Sequence, residues 1–305
     1  MGELRREALV MTPQPQVCDP NALGDARAVR FDRGALCDIL VHVTEHRDWS
    51  AQTLYAGQLA SWLHARLRAV CTVPPPVNLF GSAVMLTEVM WRLQRERDAA
   101  LAQRGLFARW ARDCGIDKAA WHIAPGALTE ALRHIADWHD LLVLCRLENT
   151  SAEAARLGQI LLSAQLPCVI APRDYAVWRP PRCMALAWNG SPEAVRAIHA
   201  ALPLLARMDR VVLMRGCERA RFEPPLDPQF DIGQELHWAG LNHEEIRIDA
   251  DDDVAGAALL DAAASVDADL LVMGAYGRTR FSEWLLGGAT RHVLEHTSIP
   301  LFLHH

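Results

Sequence analysis

The sequence predicts an α/β protein made of two tandem, doubly wound parallel-sheet domains, and three observations carry that reading. Short apolar runs alternate with helical patterns of ten or more residues, the arrangement of βαβ units whose sheet is covered on both faces. The runs then recur in order: DLLVLC at 140–145 corresponds to DLLVMG at 269–274, and about thirty residues later each meets a Pro-led strand, LPCVIAP at 166–172 or IPLFLHH at 299–305. A further pair agrees, since DILVHV at 38–43 and CMALAW at 183–188 each pass through a helical pattern to another apolar run, RAVCTV at 68–73 or RVVLMRG at 210–216. The copies are offset by about 130 to 145 residues, which is the length of a domain and far beyond that of a solenoid repeat.

The elements follow in order. Residues 1–35, with Pro13, Pro15 and Pro20, match nothing in the second copy and read as an N-terminal extension. The first domain runs over 36–173, and RDYAVWRPPR at 173–182 supplies the exposed connection, with the linker at 174–181. The second domain covers 182–305. In it Ser191, Pro192 and Glu193 form an N-cap, a first-turn proline and an early acid that start a helix over 192–206. Strand two is 210–216. Residues 217–243, with Pro224, Pro225 and Pro228 and few periodic apolar positions, read as irregular before EEIRID makes strand three at 244–249. ADDDVAGAALLDAAASVDA is an alanine-rich helix whose acids, Asp251 to Asp253, are a solvated first turn. Strand four ends at Met273.

Composition excludes several classes. The apolar runs reach seven or eight residues, far short of the ~20 a membrane span needs. The opening MGELRREALVMTPQPQ lacks the apolar core and cleavage site of a secretory signal, so a cytoplasmic protein is expected. A net charge of −6 offers no basic footprint for nucleic acid. The eight cysteines are never closer than fifteen residues, which removes CxxC chemistry; Cys37, Cys145, Cys168 and Cys183, in or beside strand runs, read as small core residues.

One stretch carries chemistry. GAYGRTRFSEWLLGGATRHVL, residues 274–294, places Gly274 and Gly277 just past strand four, at the mouth where a doubly wound sheet takes its ligands. Gly287, Gly288, Ala289 and Thr290 then open a helix whose first N–H groups attract anions, phosphate above all. Arg278 or Arg280 can close over a phosphate chain, and Thr290 can offer a hydroxyl and a cap. The same glycines would also suit a tight loop and a helix start with no ligand. There is no GxxxxGK[ST], and this GxxG follows the fourth strand, so neither common nucleotide fingerprint fits. Trp188 and Trp284 fall on the cleft, where they would stack on a base or simply pack. His292 and His296 lack a third ligand, Ser191 is not in GxSxG, and no metal or catalytic residue is expected.

The string Gly274-x2-Gly277-x9-Gly287-Gly288, between DLLVMG and ATRHVLEHTSIPLFL, resembles that of the universal stress proteins, whose ATP-binding members carry G-x2-G-x9-G-[S/T]. ALAWNGSPEAVRAIHAALPLL is similar to the first strand and helix of tandem members. The resemblance covers 182–305 strongly and 36–173 more weakly. It implies two adenine nucleotide alpha hydrolase-like domains and a regulatory or protective stress-response protein. The implied ligand is ATP or another adenine nucleotide, with or without Mg²⁺, held by Asn189, Met273, Gly274, Gly277, Arg278, Gly287, Gly288, Ala289 and Thr290. Two positions depart from the pattern: Asn189 replaces the family's acid, and Gly288 its serine or threonine. The first domain has CRLENTSAEAARLG at 145–158 instead, about four residues shorter and with Glu148 and Glu153, so its site is expected to be lost. The family's last strand mediates dimer pairing, so PCVIAP and PLFLHH are expected to pair within the chain, and a homodimer and unnamed protein partners are also implied. A slow Mg-dependent ATPase and a nucleotide-free scaffold are the alternatives; the first lacks a visible residue to orient water.

Overall fold

The apolar runs become strands because their side chains are buried on both faces: all five residues of LLVLC and all six of CMALAW are inaccessible. The computed structural model describes residues 36–43, 49–73, 83–173, 178–216, 231–251, 254–276 and 288–305. Its first half comprises β1 (Asp38–Val43), α1 (Ala51–Leu63), β2 (Arg66–Val73), α2 (Ala83–Asp113), β3 (Ala119–Pro125), α3 (Leu128–Ile135), β4 (Leu141–Cys145), α4 (Ser151–Ala164) and β5 (Cys168–Ala171). The second comprises β6 (Cys183–Trp188), α5 (Pro192–Leu205), β7 (Arg210–Arg215), α6 (Ile232–Trp238), β8 (Glu244–Arg247), α7 (Ala255–Ser265), β9 (Leu270–Gly274), α8 (Gly288–His296) and β10 (Leu301–His304).

The ten strands of the described residues join one sheet in the order β3-β2-β1-β4-β5-β10-β9-β6-β7-β8, inside a single compact unit, Arg33–His305. Read outward from its middle, each half has the same order. Every neighbouring pair is parallel except β5 and β10, which meet antiparallel with Phe302 opposite Val169. The expected pairing within the chain is therefore present, and it fuses what the sequence presents as two sheets. Both buried layers cross this seam: Val41, Val169, Leu186 and Phe302 share one, while Leu40, Ile170, Leu271 and Leu301 share the other.

The repeated DLLV begins with an aspartate for a physical reason. Asp140 accepts hydrogen bonds from the N–H groups of Cys37 and Asp38 at 2.8 and 2.9 Å, and Asp269 does the same for Arg182 and Cys183 at 2.8 and 2.9 Å. Each carboxylate ties the start of strand four of its half to the start of strand one, satisfying donors that the ladder leaves open. Helix starts are equally local. Ser50, Thr150 and Ser191 cap α1, α4 and α5 by accepting from Thr53, Glu153 and Ala194 N–H.

Three expectations need correction. The stretch read as irregular contains α6, capped by Asp231 and buried at Ile232 and Leu236. The helix after strand three starts at Ala255, past the acids, and its N-cap position is Val254. Cys37 is exposed just before β1, whereas Cys71, Cys145, Cys168 and Cys183 are buried thiols. Within the connection, Trp178 is half-buried, its ring edge-on to Tyr55 of α1 at 5.0 Å. Residues 174–177 and the acids Asp252 and Asp253 lie outside the described residues.

Candidate functional site at the carboxyl end of the second half

In the second half the strand order reverses between β6 and β9, so the crevice lies where Trp188 and Gly274 end their strands. Asn189 follows β6 directly. Its Oδ1 accepts from Ser191 N–H at 3.0 Å, an Asx turn that turns the exposed amide to the crevice side without using its Nδ2 donors. Across the crevice Gly274 meets the start of α5 so closely that a Cβ would stand 2.5 Å from Ala194 N and 2.5 Å from Glu193 C. The glycine is thus required by strand-to-helix contact, a different reason from the positive φ and ligand approach that the sequence suggests. Met273 is buried, so its side chain belongs to the core and only its backbone borders the crevice.

The start of α8 forms the other wall. Gly288 is exposed, Ala289 half-buried, and Thr290 buried as the third helical residue. Ala289 is fixed from outside by α7: a Cβ on Gly256 would come within 2.9 Å of Ala289 O and 2.7 Å of His292 Cβ, so only glycine permits this crossing. The first turn of α8 holds no acidic residue, in contrast to Glu193 in α5 and Glu153 in α4. Of the four helix starts at the strand ends that carry the two crevices, α1 and α8 have no acid in their first turns, and in the second half α8 is the start without one. Gly277, Arg278, Gly287, Arg280 and Trp284 lie outside the described residues.

Two groups beside the crevice were not evident as site features in the sequence. Glu193 pairs with Arg196 through Oε1 at 3.1 Å, while its Oε2 is buried without a hydrogen-bond partner among the described residues. Tyr276 has a backbone φ of 61°, uncommon for an aromatic residue, and its hydroxyl is buried and likewise unpartnered. Burial above all holds that phenol well above its ordinary range. Trp188 is buried too, which removes it as a stacking surface for a base. His292 and His296 stack on each other at 4.2 Å, and among the described residues no cluster of His, Cys, Asp and Glu can hold a metal.

The matching crevice of the first half is filled by its own side chains. Gln52 bridges it, accepting from Cys145 N–H at 2.7 Å and donating to His42 O. Glu153 sits in the first turn of α4 and accepts from Leu147 N–H at 2.9 Å and from Arg156 at 2.6 and 2.7 Å. Burial raises the Glu153 pKa, and the bonds from Arg156 and Leu147 outweigh that and bring it below the ordinary glutamate range. A charged carboxylate therefore occupies the place at this helix start that an incoming anion would need. The sequence signal for Gln52 was available: it stands two residues after the cap Ser50, as Glu193 stands two after Ser191.

This geometry can be set beside known proteins. Residues 184–305 match the universal stress protein family. That part of the chain is a universal stress protein domain. A universal stress protein from Archaeoglobus fulgidus DSM 4304 has a similar structure at 14% identity, with 88% of this chain and 95% of that one aligned and a TM-score of 0.63. A protein of unknown function from Pseudomonas aeruginosa PAO1 aligns over 88% of this chain and 92% of its own at 14% identity, with a TM-score of 0.51. Identities this low establish fold, and their coverage extends the universal stress protein fold across the first half. No curated protein matches the sequence.

Proposed function

We propose that this is a tandem universal stress protein, cytoplasmic and regulatory or protective, which binds one adenine nucleotide per chain in the crevice of its second half. The observation that carries the reading is a coincidence of position. The G-x2-G-x9-G string of the ATP-binding members falls between β9 and α8, inside the segment that matches the family. Asn189, with two amide donors that its turn does not use, replaces the family's acid on the nucleoside side. The acid-free first turn of α8 and the exposed Gly288 suit phosphates, with Arg278 adding charge from the loop. These donors fit ATP, and Mg²⁺ would be carried in on the phosphates, since the described residues offer no cluster to bind it alone. The first half, with Glu153 at its helix start and Gln52 across its strand ends, contributes structure and no nucleotide site. Bound nucleotide would act as a signal read by protein partners.

The test is stoichiometry. Nucleotide released from freshly purified, denatured protein is quantified, and ATP with Mg²⁺ is titrated calorimetrically into emptied protein, alongside Gly277→Arg. About one site per chain, lost in Gly277→Arg, is the expected result. Two sites would overturn the reading of the first half. No binding at millimolar ATP would overturn the nucleotide reading and favour a scaffold, with Gly288 and Asn189 as the responsible departures from the family pattern.

A further inference from the structure

Arg146 follows β4 in the first half, yet its side chain belongs to the second. Arg146 is 5% exposed, and its guanidinium donates from Nη1 to Leu294 O and from Nη2 to Thr297 O, both at 2.7 Å. Leu294 lies in the last turn of α8 and Thr297 just beyond it, where helical carbonyls have no partner within the helix. The planar fork of arginine can serve two such oxygens at once, and its charge opposes the negative pole of the helix. The anchor of this residue is firm: Arg146 N–H donates to Ala171 O on β5 at 2.9 Å.

The arrangement is one-sided. The residue in the same place after β9 is Ala275, which makes the same backbone bond, to His304 O at 2.8 Å, and has no side chain to return the contact. So the half whose own crevice is filled grips the helix that opens the other crevice. A nine-residue helix is about 13 Å long, short enough for a cation fixed at its C-terminal end to settle where its N-terminal N–H groups stand. Neutralising the negative pole also leaves the positive pole less compensated toward an anion.

We propose that Arg146 is a positioning residue for the second half's nucleotide site, acting across the seam by holding α8 so that its first turn faces the phosphates. This rests on the nucleotide reading above for its ligand and on the two carbonyl contacts for its mechanism. It gives the first half a role in binding that requires no nucleotide of its own.

The experiment compares full-length wild type, Arg146→Met, Arg146→Lys and the control Arg156→Met. Hydrogen exchange is read over 288–297, and ATP and adenosine affinities are measured by calorimetry at a temperature where each variant is folded. Arg146→Met should exchange faster in α8 and lose about tenfold in ATP affinity, with adenosine affinity unchanged. Arg146→Lys, keeping charge without the fork, should lie between; it carries the comparison should the methionine variant not fold. Unchanged α8 exchange in the Arg146 variants would overturn the proposal, and so would equal losses for ATP and adenosine, which are the mark of a general structural role. Should wild type bind neither ligand, the nucleotide reading fails and the proposed role in positioning phosphate fails with it, while the exchange arm still decides whether Arg146 holds α8.

Discussion

His42 shows how one buried side chain ties stability to pH. It is the fifth residue of β1, half-buried, with Nε2 3.0 Å from Thr72 Oγ1 on β2. Burial, and after it the positive charge of Arg156 on α4, lower its pKa from 6.5 to about 4. Between those values the unfolded chain takes up a proton that the folded chain refuses, so stability is complete above about pH 6.5 and falls as pH drops toward 4. The full effect is at most about 3 kcal/mol. Replacing His42 with Gln, which can keep a bond to Thr72, should remove this part of the slope. Urea midpoints at pH 7 and pH 4.5 should then shift relative to wild type in favour of Gln at the lower pH. An equal difference at both would count against His42, leaving the slope to His122, His139 and His304, whose pKa values are also lowered by burial first of all. At this scale the sequence is partly legible. Gly274 is visible as a required glycine, but its reason is not, because the backbone of α5 that excludes a Cβ lies eighty residues away in the chain. Arg146 is hidden for the same cause: its partners, Leu294 and Thr297, are local to nothing near it.

Elements were legible wherever a local rule defines them. Strands buried on both faces announce themselves as apolar runs, and α5 was set by Ser191, Pro192 and Glu193 before any tertiary contact. By contrast α6 has seven residues and two buried aliphatic anchors, too short for a periodic pattern to outweigh its prolines upstream. The start of α4 shows an element whose sequence reading was right in kind and sharper in structure. Glu148 and Glu153 both appear as obstacles, but Glu148 is exposed and Glu153 alone is built in. Changing Glu153 to Gln keeps its shape and removes the charge that holds Arg156 and Leu147 N–H. We expect a loss of about 2 kcal/mol by chemical denaturation, the range for hydrogen bonds to a charged group. The loss should shrink as pH falls, because a carboxylate with a lowered folded pKa stabilises above its unfolded pKa and loses that contribution in acid. A Gln variant as stable as wild type at pH 7 would mean that the ion pair merely balances the cost of burying it.

At the scale of the molecule, duplication explains the order of the ten strands, and the seam explains why they act together. Two copies related by a pseudo-twofold must meet antiparallel at their last strands, since each presents the same edge to the other. That is the geometry of Leu301, Phe302 and Leu303 against Ile170, Val169 and Cys168. Because both buried layers continue across this pairing, neither half has a complete core alone. Arg146 adds a polar tie between the halves in the same region. The chain should therefore unfold in one calorimetric transition over Arg33–His305, with calorimetric and van't Hoff enthalpies in agreement. Phe302 is fully buried on β10, and Phe302→Ala should cost about 3–5 kcal/mol. The informative readout is where the loss appears. If the seam makes the halves one cooperative unit, hydrogen exchange should accelerate by the same free energy in β1 of the first half as in β6 of the second. Acceleration confined to β6, or a second transition appearing in the variant alone, would show that the halves fold as separate domains that merely touch, and that the seam joins their sheets without joining their stability.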